Sequence, residues 1–216
     1  MAMPSLWRVK LMWGVALTVW ISLPYHLLQH YPLLPAWTMT PTVFDDAIPF
    51  AQWMAWPYLS LFVMLPIAPF FIQEPRDVRR FAIDFALIGL VSHVAFLVLP
   101  TQIERPSVDA SDPLYQFVLS TDGPRNACPS LHASMTVYSA LWCGFLIRHH
   151  RYAWLTWIGV TLWTLAIFYA TIATRQHVLV DLLAGAVLAL LVFFRPERIH
   201  PDAMGAGLRE RPVDAP

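Results

Sequence analysis

The chain has 216 residues, of which 57% are hydrophobic and only 13% charged, and its 14 basic and 14 acidic residues cancel to zero net charge. Apolar runs near twenty residues long recur, so an ordinary soluble domain is excluded and an all-α, polytopic integral membrane protein is expected. Bulk charge gives no reason to expect a nucleic-acid partner, and the partner that the composition implies is the lipid bilayer.

Six spans are predicted, at 11–28, 50–72, 81–99, 130–147, 152–172 and 177–194. They make one six-helix transmembrane domain over residues 1–199, followed by a disordered tail at 200–216 that lacks apolar periodicity. The basic stretch before the first span resembles a signal peptide, but no small-x-small cleavage pattern follows Leu28, so an uncleaved span is expected. The loop from His30 to Ile48 carries Pro32, Pro35, Pro41, Tyr31, Trp37, Asp45 and Asp46. It reads as an interfacial loop with aromatic anchors, with a substrate lid as the alternative. Pro57, Pro66 and Pro69 should bend the second span, because each removes a backbone donor.

Further along, Asp84 follows Arg80 by four residues and suits a structural ion pair. His93 falls near mid-membrane, where an interhelical hydrogen bond and a proton path are the two readings. The long loop before the fourth span holds Arg105, Asp109, Asp112 and Asp122. These acids lack calcium-loop spacing and read as solvated surface. Cys128 and Cys143 are fifteen residues apart on one predicted helix, about 22 Å, and are expected as free thiols with no metal site. His149 and His150, set between Arg148 and Arg151, read as a cytoplasmic headgroup-facing patch.

With the N-terminus inside, eleven of the fourteen basic residues fall on the cytoplasmic side. The exceptions are Arg105, Arg125 and Arg175, which share the outer loops with two polar islands, Asn126–His132 and Thr174–Asp181. Basic residues that break the positive-inside rule invite a functional explanation. In the second island His177 and Asp181 are four apart, so on a helix the carboxylate can accept from the imidazole and fix its tautomer. In the first, Pro129 suits a first helical turn, and the N–H groups near Ser130, Leu131 and His132 suit an anion. Two histidines, a carboxylate and nearby arginines at a membrane surface are the parts of a phosphate site.

In order and type these residues resemble the type 2 phosphatidic acid phosphatase (PAP2) superfamily, with its Lys-x6-Arg-Pro, Pro-Ser-Gly-His and Ser-Arg-x5-His-x3-Asp motifs. The counterparts are Arg105-Pro106, Pro129-Ser130-Leu131-His132 and His177-x3-Asp181. Val98, Leu131 and Thr171 stand where those motifs have Lys, Gly and Arg. Arg125 and Arg175 are the candidate replacements for the missing cations. The Pro-Ser-Leu-His form is similar to the branch containing inositol phosphorylceramide synthases, so hydrolysis and headgroup transfer both stay open. The resemblance implies catalysis by His177, His132 and Asp181 and phosphate binding by Arg105, Arg125, Arg175 and Ser130. It implies a lipid phosphate substrate, no cofactor or metal, and a site on the extracytoplasmic face of the cell membrane. A transporter is the competing class, but only His93 lies at the midplane and the halves show no repeat.

Overall fold

The computed structural model describes residues 5–105 and 110–195, and the tail expected at 200–216 lies outside the described residues. The chain is mostly helical. The long helices are α1 (Leu6–His30), α5 (Pro75–Val98), α7 (Leu131–Leu146), α8 (Ala153–Ala173) and α9 (Leu179–Phe193). Shorter ones are α2 (Val43–Ala47), α3 (Ala55–Leu59), α4 (Leu61–Phe71) and α6 (Pro113–Thr121). A small parallel pair, β1 (Trp37–Met39) with β2 (Thr101–Ile103), is an addition to the expected all-α architecture. It clips the loop after α1 to the segment that follows α5.

Four segments among the described residues are long and apolar enough to cross a membrane: α1, the stretch Gln52–Phe71, α5 and α8. Helices α7 and α9 are apolar but shorter, at 16 and 15 residues. The second segment is broken rather than gently bent, into a 3₁₀ turn at Gln52–Met54, α3 and α4, with Ser60 at the joint. Its Oγ donates to the Pro57 carbonyl at 2.6 Å and accepts from Trp163 Nε1 at 2.8 Å. Those bonds re-satisfy polar groups that a helix containing proline leaves open.

Helix α7 is the centre of the bundle, packed on α4, α5, α8 and α9. Its contact with α9 is close because Gly185 faces the Ser130 carbonyl, where a Cβ would come within 2.3 Å. Away from the site, an aromatic cluster of Phe81, Phe85, Tyr138, Trp142 and Phe193 fills the junction of α5, α7 and α9. The i,i+4 spacing of Phe81 with Phe85 and of Tyr138 with Trp142 puts each pair on one helical face, and such ring pairs add about 0.5–1.5 kcal/mol beyond burial. By contrast, large apolar side chains on α1 and α8, among them Val15, Val19, Trp154 and Leu162, are exposed, as a lipid-facing surface requires.

Two polar side chains of α5, His93 and Asp84, have partners outside that helix. His93 Nε2 lies 3.2 Å from the Ile21 carbonyl of α1, the interhelical bond that was one of its two readings. Asp84 is fully buried and pairs with Arg195 at 2.9 Å, from the far end of the chain, where sequence spacing pointed to Arg80. It also accepts from Tyr138 Oη at 3.1 Å. Local spacing proposes only local partners, and here a buried carboxylate drew its cation from after α9.

Candidate functional site

One end of the bundle gathers the C-terminal ends of α1, α5 and α8 and the N-terminal ends of α3, α7 and α9. Both polar islands lie there. His177 sits two residues before α9, so its pairing with Asp181 is not the same-face helical pair that the spacing suggested. Instead Asp181, in the first turn of α9, reaches back to the preceding loop. Its Oδ2 lies 3.0 Å from His177 Nδ1 and accepts the Val178 N–H at 3.4 Å. With the imidazole proton on Nδ1, the ring donates to Asp181 and Nε2 keeps its lone pair for chemistry. Both side chains are buried.

His132 is in the first turn of α7, and its ring centroid is 5.9 Å from that of His177. The Tyr58 ring stacks on its other side at 4.5 Å, and His132 Nε2 is buried without a protein partner among the described residues. Ser130 is the N-cap of α7: its Oγ accepts from the Ala133 N–H at 3.3 Å and its N–H donates to the Asp181 carbonyl at 3.0 Å. That fully buried hydroxyl caps its own helix, while the backbone N–H ties the helix end to α9. The preceding Cys128-Pro129 peptide is cis. Both cysteines are free.

Arg105, Arg125 and Arg175 are all anchored to backbone carbonyls. Arg105 donates from Nη1 to Asp122 O at 2.6 Å and from Nη2 to Gly123 O at 2.9 Å. Arg125 donates to the Gln29 carbonyl at 2.9 Å, tying the loop before α7 to the end of α1. Arg175 donates to the carbonyls of Asp45 and Ile48 at 2.9 and 3.0 Å. Those two bonds offset the cost of its left-handed backbone, φ 56°. Arg105 is close enough to the histidine pair to act on the charge between them, whereas Arg125 and Arg175 brace the rim.

The loop read as an interfacial anchor is part of this rim. Asp45 is buried, accepts the Leu179 N–H at 2.7 Å through Oδ1, and holds Thr42 through Oδ2. It thereby caps an N–H in the first turn of α9, two residues from His177.

Sequence reasoning missed Asp122. Grouped with Asp109 and Asp112 as solvated surface, it is in fact buried, and both its oxygens accept from tyrosine hydroxyls, Tyr25 on α1 and Tyr58 on α3. Asp112 instead caps α6, and Asp109 lies outside the described residues. A carboxylate oxygen of Asp122 and one ring nitrogen each of His132 and His177 lie within 4.8 Å of one another. Burial alone pushes this carboxyl up, but the imidazoles, Arg105 and the Tyr25 hydroxyl outweigh it and hold Asp122 below the ordinary carboxylate value. Hydrogen bonds to an ionised group are typically worth about 1.5–3 kcal/mol each. The three side chains could hold a metal ion geometrically, although an ion there would compete with the tyrosine hydroxyls and with the His177 lone pair.

The family model of the PAP2 superfamily matches residues 81–202, more than half of the chain. The chain belongs to that superfamily. No curated protein and no solved structure shows significant similarity to it. PAP2 proteins are generally phosphatases and phosphotransferases, and the matched region contains His132, His177, Asp122, Asp181, Arg105, Arg125 and Arg175.

Proposed function

We propose that this PAP2 protein is a metal-independent lipid phosphatase or phosphotransferase that works through a phosphohistidine at the extracytoplasmic face of the cell membrane. The observation that carries the reading is the arrangement of His177, hydrogen-bonded to Asp181 through Nδ1, with His132 beside it and its Nε2 unpartnered. In this reading His177 Nε2 attacks phosphorus, and the bond from phosphorus to the lipid oxygen breaks. His132 gives the departing oxygen its proton. A water or an acceptor hydroxyl then attacks the phosphohistidine and releases the product. Transfer to an acceptor, as in inositol phosphorylceramide synthases, is the same chemistry with another nucleophile in the second step.

Arg105 supplies positive charge at the centre, and the N–H groups of Leu131 and His132, at the start of α7, have no hydrogen-bond partner among the described residues and suit phosphoryl oxygens. Arg125, Arg175 and Ser130 would serve the phosphate by holding the loops that frame it. An apolar cavity of about 720 Å³ between α1, α4 and α5, which also touches Met135 on α7, has the size and lining for an acyl chain. The deciding experiment is a lipid panel in which phosphate release and headgroup exchange are measured side by side on the purified protein. Turnover of no lipid phosphate or phosphodiester would refute the reading.

Six crossings with both termini inside fit the alternation of helix ends at the site, with α7 and α9, of 16 and 15 residues, counted as crossings. A reporter fused after Arg211 is expected to read as cytoplasmic and a tag in the 109–122 loop as exported. The reverse of either result overturns the topology.

Turnover is expected to survive EDTA, because Arg105 and the backbone N–H groups meet the phosphate without a metal ion. The cluster of Asp122, His132 and His177 makes the opposite outcome concrete. Activity lost in chelator and restored by a divalent ion would reassign these three side chains as ligands.

A further inference from the structure

We infer that Asp122 is a specificity-determining residue that makes the site select singly charged phosphodiester lipids over doubly charged phosphomonoesters. The inference rests on the phosphoryl-transfer reading above and adds the charge state of its substrate. A phosphoryl group attacked by His177 must sit within van der Waals reach of the imidazole. One oxygen of Asp122 and a ring nitrogen of each histidine are within 4.8 Å of one another, so the same phosphoryl group sits beside a carboxylate. Burial, two tyrosine donors and Arg105 at its own backbone carbonyl keep that carboxylate in place. Asp181 is a second buried acid at the other end of the His177 ring.

Positive charge to balance a dianion is scarce. Arg105 directs two donors to the carbonyls of Asp122 and Gly123, Arg175 directs two to the α2 segment, and Arg125 directs one to α1. Two buried carboxylates, Asp122 and Asp181, stand beside the histidines against Arg105, and that surplus of acids accommodates one negative charge better than two. A unit of like charge about 5 Å away in partly screened protein changes binding by well over tenfold. A phosphodiester carries one such charge, whereas a phosphomonoester above a second pKa of about 6 carries two.

The test compares dioctanoyl phosphatidate with its methyl ester, dioctanoyl phosphatidylmethanol, using the full-length protein in detergent and reading diacylglycerol release. The two substrates share acyl chains and leaving oxygen and differ by one methyl group and one charge. In both, the bond from phosphorus to the diacylglycerol oxygen breaks as the bond to His177 forms, and water then frees phosphate or methyl phosphate. At pH 8 the methyl ester is expected to be favoured in kcat/KM by about tenfold or more. Below pH 6, where the monoester loses its second charge, the preference should shrink toward parity. The titratable and charged groups around the site are His132, His177, Asp181, Arg105, Tyr25 and Tyr58. Protonation of the histidines as pH falls adds positive charge that favours the more highly charged monoester, so it moves the ratio in the same direction as loss of the second phosphate charge. Asp122→Asn should flatten the ratio at pH 8 whatever it does to absolute rates, and if that variant does not fold, Asp122→Glu, which keeps the charge, should preserve the preference, while a wild-type preference for phosphatidate at pH 8 still overturns the inference.

A wild-type preference for phosphatidate at pH 8, or a ratio indifferent to both pH and Asp122→Asn, overturns the inference. If such a ratio accompanies turnover that His177→Ala abolishes, phosphoryl transfer stands and only the charge selection falls. No diacylglycerol release from either substrate overturns both.

Discussion

His177→Ala is expected to abolish turnover on every phosphate ester, a loss on the order of 10⁶-fold, because no other route to the covalent intermediate remains. The Asp181 partner makes the prediction more specific. Asp181→Asn keeps the size of the side chain but presents an amide that can donate, which favours the wrong tautomer of His177 and removes the charge that stabilises the imidazolium. Its loss should be ~10²- to 10⁴-fold on every substrate, since its task is to orient His177 whatever group departs. Part of any fall in Asp181→Asn could come from the helix end, because Oδ2 also accepts the Val178 N–H. Thermal unfolding followed beside activity separates the two: a fall in rate at unchanged Tm belongs to His177. Trapping a base-stable, acid-labile phosphoprotein from wild type but not from His177→Ala checks the intermediate directly. Retained turnover in His177→Ala would remove the nucleophile from this account.

His132→Ala is expected to lose ~10²- to 10⁴-fold on a lipid substrate and much less on a p-nitrophenyl phosphate ester. A lipid alkoxide needs a proton as it departs, whereas p-nitrophenolate leaves well without one. The geometry supports the division of roles: His177 has its Nδ1 committed to Asp181, while His132 has Nε2 unpartnered and lies against Tyr58 and His177. Equal losses on the two substrates would mean that His132 acts on something other than the departing oxygen, such as the phosphate charge itself.

Some of this site was legible in the chain. The contact between His177 and Asp181 follows from four-residue spacing, yet it forms from a loop back to a helix start rather than along a helix face. The meeting of the two islands was legible too, because alternating spans bring the start of α7 and the start of α9 to one end of the bundle. The arginines were legible as exceptions to a charge rule. Their hydrogen bonds to the carbonyls of Asp45, Ile48, Asp122, Gly123 and Gln29 were not, since a guanidinium at a loop satisfies whichever carbonyls the fold leaves open. Asp84 shows the same limit at the opposite end, where the partner is Arg195.

The sequence by itself determined that this chain is a bundle of apolar helices with two polar islands, and which residue types those islands hold. Hydropathy and charge asymmetry are summed over twenty residues at a time, so no tertiary detail is needed to read them. Tertiary structure alone decided the surroundings of the histidines. Tyr25, Tyr58 and Asp122 come from three segments far apart in the chain and look like an ordinary span tyrosine, a tyrosine after a proline and a surface acid. A loop carboxylate can be buried only where other elements bring it donors, and here α1, α3 and the Arg105 segment converge to do so.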